Sequence, residues 1–421
     1  MQNPSNKPHP TPQKTRLPKT HSKKGKPHQF AFRNADNKKR GRNMKLVIVG
    51  GIRPDIINLS CLFQELQNKK IDFVFVWTGQ HYSKNLSEIF FTELNVAPPK
   101  YMLNMPEGLG QGGQSGFVIK EIEEILLKEK PDAVISFSDA NPCLAAITAT
   151  KLGIKVIHLE SGLRSNDFRM PEEKNRRIVD SISDLLFCPT RQAESNLWLE
   201  NVHPKKIVVC GKLIIDVLKK HEQDIREAEK RIFGNDELGM LEKQDYIFTT
   251  LHRAENVQSK QNLQNILTGI GIISKKYDKP VLAYLHPRTI TAINQYRIKK
   301  PENFGVYDPT GFFDFVALEK NAFMYIGDSG TCSEETTYFN IPSLITRPTT
   351  ERPETVTDGT SVLVGKQDGT FNPETFANKT REALNKIPKK GLYKAGTANT
   401  ITRTLKEKEE WIRDDKVMWD D

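Results

Sequence analysis

From Met44 onward the chain alternates short, unbroken apolar runs with longer segments of helical periodicity. Lys45–Gly50 (KLVIVG) reads as a strand, Pro54–Lys69 as a helix, DFVFVW as a strand and Ser83–Leu94 as a helix. Phe117–Lys128 is strongly amphipathic, and DAVISF, a helix over Pro142–Leu152, KVIHL, LLFCPT and KIVVCG continue the series. Apolar runs without polar alternation suit strands buried on both faces, with helices crossing from each strand to the next. A charged stretch near residues 211–243 interrupts the rhythm, which then restarts with the strands YIFTTLH, PVLAYLH, FMYIGD and SLIT. The pattern predicts an α/β protein of two doubly wound domains, 44–210 and 211–395, with a cleft between them. A charged C-terminal helix is expected over 396–421, centred on Thr397–Trp419.

A length of 421 residues accommodates two such domains. The net charge of +10 suggests nucleic acid until it is located. Residues 1–43 hold 12 Lys/Arg and one acid, Asp36, for +11, whereas the remainder carries −1. The segment is rich in Pro, Lys, Asn and His and nearly free of aliphatic residues, so it is expected to be a disordered basic tail. Contact of this tail with nucleic acid is open on charge alone, and no other feature of the chain supports it. The five cysteines are scattered without paired spacing, which argues against a disulfide framework or a zinc site. No apolar run approaches the ~20 residues of a membrane helix, and the expectation is a cytoplasmic protein without membrane insertion.

Chemistry enters with three carboxylates. Asp139 follows a strand in ISFSDANPCLA, Glu160 ends the next in KVIHLESGLRS, and Glu172 opens a helix in RMPEEKNRR. Strand ends of an open parallel sheet converge on one crevice. Acids beside arginines there suit proton movement at an unactivated carbon next to an anionic group. Glu173 reads instead as an ordinary acid at a helix N-terminus. GGIRPD places Arg53 after a tight turn, where it can meet a phosphate. GLGQGG (Gly108–Gly113) matches the dinucleotide glycine pattern only formally. It follows MPE rather than a strand and lacks the later acid, so it reads as a loop and implies no NAD. In the second half, GDSGTCSEE follows a strand and enters a helix. Ser329, Gly330 and Thr331 leave backbone N–H groups free for a diphosphate, and Glu335 can accept ribose hydroxyls. Arg347 and Arg352 in RPTTERPE, His252 and Arg253 in LHRAEN, and His286 and Arg288 in LHPRT complete an anion-binding set.

The motifs GxRPD, TGQHY, HLESGLRS…MPEEKNR, LHRAEN, HPRT and DSGTCSEE…TTERPE, colinear over about residues 44–395, resemble the non-hydrolysing UDP-N-acetylglucosamine 2-epimerases. The resemblance implies a glycosyltransferase-B-like pair of Rossmann-like, doubly wound domains, UDP held mainly by the second, a homodimer, and neither metal nor other cofactor. It places Asp139, Glu160, Glu172 and His252 on the family's catalytic residues. It places Arg53, Ser329, Gly330, Glu335 and Arg352 on nucleotide-sugar contacts, to which Arg164, His286 and Thr331 are added as expected substrate contacts. The implied reaction removes the C2 proton with loss of UDP to give a 2-acetamidoglucal, then re-adds UDP with protonation on the opposite face. The product, UDP-N-acetylmannosamine, would feed surface polysaccharide. The chain departs from the family pattern at Asp55, Asn58, Ser138, Ala140–Pro142, Lys212 and Thr331. Rival readings are a 2-epimerase of another UDP-N-acetyl sugar (deoxy or diacetamido), a hydrolysing 2-epimerase, a glycosyltransferase on the same fold, and a non-catalytic nucleotide-sugar binder.

Overall fold

Strands that are apolar on both faces need helices on both faces, and each sheet of this protein is covered that way. The computed structural model describes residues 43–79, 84–234 and 241–414. Its strands are β1 (Lys45–Gly50), β2 (Asp72–Trp77), β3 (Tyr101–Met102), β4 (Ala133–Phe137), β5 (Lys155–Leu159), β6 (Leu185–Cys188) and β7 (Ile207–Val209), then β8 (Ile247–Thr250), β9 (Val281–Tyr284), β10 (Phe304–Tyr307), β11 (Met324–Gly327), β12 (Ser343–Ile345) and β13 (Ser361–Leu363). They form a seven-stranded sheet in the order β3-β2-β1-β4-β5-β6-β7 and a six-stranded sheet in the order β10-β9-β8-β11-β12-β13. Every pairing is parallel. The expected pair of doubly wound sheets is present. Each order reverses beside its first strand, between β1 and β4 and between β8 and β11, where a crevice opens at the carboxyl ends.

Alternate side chains of the central strands supply the two cores. Leu46 and Ile48 of β1 pack with Ile56, Leu59 and Leu62 of the helix Arg53–Asn68. Val47 and Val49 face the other way, onto Val118, Ile122 and Leu126 of the helix Gln111–Glu129. In the second sheet Ile247 packs with Leu263, Ile266 and Ile270, and Phe248 with Leu318 and Tyr325. The first core also takes in Leu213, Ile214 and Val217 and, from the C-terminal helices Thr397–Glu407 and Glu409–Arg413, Ala398, Ile401, Leu405 and Ile412. These two helices therefore return to the first sheet.

Local differences from the sequence expectations have physical causes. The helix expected from Phe117 begins at Gln111, so the second half of GLGQGG lies in its first turn rather than in a loop. Asn141 anchors that glycine-rich start, its amide donating to Gln111 at 3.0 Å and to Gln114 at 2.9 Å. The helix expected over Pro142–Leu152 opens as a tight turn, Asn141–Leu144, before regular helix over Ala145–Lys151. Strands β3, β10 and β13 were not foreseen; they are short and lie at sheet edges, where little apolar signal is needed. Residues 1–42, Gln80–Tyr82 of TGQHY, Ser83, and 415–421 of the expected C-terminal helix lie outside the described residues.

Candidate functional site

At the carboxyl ends of β4 and β5 the backbone leaves the sheet through left-handed residues, Ser138 at φ 60° and Glu160 at φ 61°. Non-glycine residues accept this conformation only under outside constraint. Asp139 ends the first turn with its carboxylate on the guanidinium of Arg176, a residue only 1% exposed that also holds Glu173. Glu173 further accepts from Ser165 N and Oγ, both at 2.9 Å, and from Arg177 Nε at 3.0 Å, so it is a buried structural acid. Glu172 lies in the first turn of the helix Pro171–Ile182.

The three acids differ in their environments. Burial opposes the charge of Asp139, but Arg176, with Arg352 behind it, holds its carboxyl below the usual range. Burial pushes Glu160 up to about 7, and the fields of Glu334 and Asp139 add to the rise against Arg352 and Lys212. Burial also raises Glu172, opposed by Arg253 and reinforced by Asp139. One acid stays anionic while two retain protons more readily, the separation that acid–base chemistry needs.

The second sheet supplies the cations. Asp328, at the end of β11, is fully buried and accepts from His252 N at 3.0 Å, Arg253 N at 2.9 Å and Asn256 Nδ2 at 3.1 Å; His252 Nδ1 lies 2.8 Å away. Burial opposes its charge, but His252 and Arg253 bring it down to about 2, so the end of β8 is pinned to β11 by a fixed anion. Ser329 caps the helix Gly330–Phe339 by accepting from Cys332 N at 3.3 Å. A Cβ on Gly330 would stand 2.6 Å from Arg352 Nη1, so only glycine lets the guanidinium lie across this helix start. Arg352 bonds Glu334 and Glu351 and brings Nη2 to 3.7 Å from Glu160. Arg347 reaches Glu351 at 2.7 Å, and Arg253 approaches it at 3.8 Å. Lys212 crosses from the end of the first sheet to bond Glu334 and, at 2.8 Å, Glu354. Burial, with the fields of His252, Arg288 and Arg53, lowers His286 to about 4, so it is neutral at pH 7 and sits within the same cationic region.

The structure thus brings Asp139, Glu160 and Glu172 together with Arg352 and Arg253, and gathers Arg53, His252 and His286 around one another near Asp328. Ser329, Gly330 and Thr331 stand at the helix start as expected. Two expected contacts are placed differently. Arg164, expected to reach substrate, is buried with its guanidinium on Asp180 at 2.7 Å and Glu200 at 2.5 Å; opposite charges across the fold claim it. Glu335 is 3% exposed and paired with the buried Glu319 rather than presented to the cleft. Burial raises Glu335 to about 7 and Glu319 well above its ordinary value, each carboxyl opposing the charge of the other. With Cys332 they form a ligand-type set within 4.8 Å. Burial pushes the Cys332 thiol well up too, which argues against a ready cation site. Sequence reasoning did not single out Arg176, Glu334 or Glu351 as site members. Their signal was present in PEEKNRR, SEE and TTERPE, but nothing local tells which charge of a charged motif turns inward.

Two parallel sheets meeting at their carboxyl ends, acids on one side and arginines with a capped helix on the other, define a glycosyltransferase-B-like nucleotide-sugar protein. A UGT2 from Phytolacca americana, 10% identical, shares the fold alone (TM-score 0.52; 87% of this chain and 99% of that chain covered). The chain belongs to the UDP-N-acetylglucosamine 2-epimerase family, whose model matches residues 64–406. It is 42% identical over 352 residues to the UDP-N-acetylglucosamine 2-epimerase of Methanocaldococcus jannaschii, covering 82% of this chain and 93% of that one. The crystal structure of a UDP-GlcNAc 2-epimerase from M. jannaschii with UDP-GlcNAc and UDP superposes at TM-score 0.78, with 39% identity and 86% and 100% of the chains covered.

Proposed function

We propose that this protein is a UDP-N-acetylglucosamine 2-epimerase, interconverting UDP-N-acetylglucosamine and UDP-N-acetylmannosamine. The observation that carries the reading is the approach of Arg352, from the second sheet, to Glu160 in a cluster where Asp139 stays anionic and Glu160 titrates near neutrality. In the forward direction the Asp139 carboxylate accepts the C2 proton, and the C2–H electrons become the C1=C2 double bond of a 2-acetamidoglucal. The C1–O bond breaks, and its electron pair leaves on the diphosphate of UDP, stabilised by Arg352, Arg53 and the N–H groups at the Gly330 helix start. In the return step a diphosphate oxygen re-adds to C1 while protonated Glu160, with Glu172 as the second protonatable acid, delivers a proton to the opposite face of C2. The finer expectations travel with this reading: a homodimer, working in the cytoplasm, supplying UDP-N-acetylmannosamine for surface polysaccharide.

The test is incubation of the purified protein with UDP-N-acetylglucosamine in deuterated water, followed by proton NMR. Loss of the C2 proton signal and growth of UDP-N-acetylmannosamine are expected. Absence of C2 exchange would overturn the reading, and accumulation of free N-acetylmannosamine with UDP as end products would assign the hydrolysing reaction instead.

A further inference from the structure

Beneath the acids lies a hydrogen-bonded pair that the reaction itself does not use. His158, on β5, is 0% exposed and has both ring nitrogens engaged: Nδ1 is 2.7 Å from Asp180 Oδ1, and Nε2 is 2.9 Å from the carbonyl oxygen of Ser138. Both partners are acceptors, and the ring bridges the Asp180 carboxylate to the backbone of Ser138. The second oxygen of Asp180 accepts from Gly162 N at 3.0 Å and pairs with Arg164 Nη1 at 2.7 Å. Other titratable or charged groups around the pair are Glu200 beyond Arg164, the Cys143 and Cys188 thiols, and Asp139 and Arg176 on the cleft side.

We propose that His158 and Asp180 are a buried positioning pair that holds Asp139, Glu160 and Glu172 in register for proton transfer at C2, an inference resting on the epimerase reading. The connections run as follows. Asp180 shares the helix Pro171–Ile182 with Glu172 and with Arg176, which grips the side chain of Asp139. Through His158 the same helix grips Ser138, the left-handed residue just before Asp139. Through Gly162 N it grips the turn that follows the left-handed Glu160. Three acids on three segments are thereby tied to one helix, and the two left-handed residues receive the constraint their conformations require. Arg164 finds its role here as well, neutralising Asp180. None of these hydrogen bonds involves Arg352, Ser329 or the rest of the second sheet.

Two near-isosteric variants test the pair, because asparagine reproduces the Nδ1 hydrogen bond of histidine and glutamine reproduces the Nε2 one. His158→Asn keeps the bond to Asp180 and loses that to Ser138; His158→Gln does the reverse. The readouts are C2 exchange of UDP-N-acetylglucosamine in deuterated water, UDP affinity by titration calorimetry, and thermal unfolding. Each variant breaks one link of the tie, so each is expected to lose about 100-fold in exchange rate, the scale of an ångström misplacement, with UDP affinity within about 3-fold. If the pair merely satisfied the charge of Asp180, only His158→Gln would lose rate. A retained rate in His158→Asn, or a parallel fall in UDP affinity, overturns the proposal. Should His158→Asn fail to fold, Asp180→Asn takes its place and is expected to lose a similar factor with UDP affinity kept; full exchange in that variant overturns the proposal. A wild-type protein without C2 exchange sinks the functional reading and this inference with it, whereas exchange in both wild type and variants sinks only the pair.

Discussion

Replacing Arg176 by methionine removes the one guanidinium that holds both Asp139 and Glu173. Methionine fills much of the volume, so the chief change is electrostatic. In the wild type burial opposes the Asp139 charge, and Arg176 is the largest force that overcomes it. Its folded-state pKa lies below the unfolded value, so its contribution to stability is present above the unfolded pKa of about 3.9 and is lost as pH falls through the folded one. Without Arg176 burial prevails and the folded pKa rises above the unfolded one. The sign then reverses: the variant loses stability as pH climbs above about 3.9, until the folded group itself ionises. Breaking a buried pair from one side costs about 3–5 kcal/mol. Glu173 retains Ser165 and Arg177, which places the expected loss near the lower end, about 3 kcal/mol at pH 8 and less at pH 5. Urea unfolding at the two pH values measures this. The acidic limb of the C2-exchange profile should move to higher pH by at least one unit, since each unit represents about 1.4 kcal/mol of lost preference for the charged form. A loss below about 1 kcal/mol that is the same at both pH values, with an unmoved limb, would refute the electrostatic account of Asp139.

Glu160, pushed up to about 7, is assigned as the proton donor, so C2 exchange should fall as pH rises past about 7, and Glu160→Gln should abolish that limb together with most of the rate. Arg352→Ala should weaken UDP binding at least about 10-fold by calorimetry, the guanidinium being the proposed diphosphate partner. Gly162→Ala places a Cβ 2.2 Å from the Ala193 carbonyl oxygen at φ 78° and should cost more than about 2 kcal/mol in urea unfolding. Gly153→Ala, at φ 69° with nothing within 4 Å, should cost only about 1 kcal/mol. Removal of residues 1–43 takes away +11 and every assigned site residue lies beyond them, so turnover should persist while any retention on heparin at low salt disappears.

The alternation of strand and helix was legible in the amino-acid sequence because strands buried on both faces must be mainly apolar, as VIV in β1 and AVI in β4 are. The acids were legible for a related reason: a polar residue that ends such a run stands at the carboxyl edge of the sheet, where Asp139 and Glu160 are. The capped helix start at Ser329 and Gly330 was readable from small residues that follow a strand and enter a helix. Which charges meet was decided only by the tertiary structure. Lys212 and Glu334 lie 122 positions apart, and Arg176 and Asp139 lie 37 apart. No periodicity links such pairs, and only the stacking of one sheet edge against another sets their distance. For the same reason Arg164 resembles a substrate contact in sequence and becomes a partner of Asp180, and Glu335 resembles a ribose acceptor and becomes half of a buried carboxyl pair. Local sequence specifies the type of side chain at a strand end. The desolvation and the neighbouring charges that set its protonation come from residues far along the chain, so the difference between an anionic Asp139 and a Glu160 poised near neutrality exists only in the folded protein.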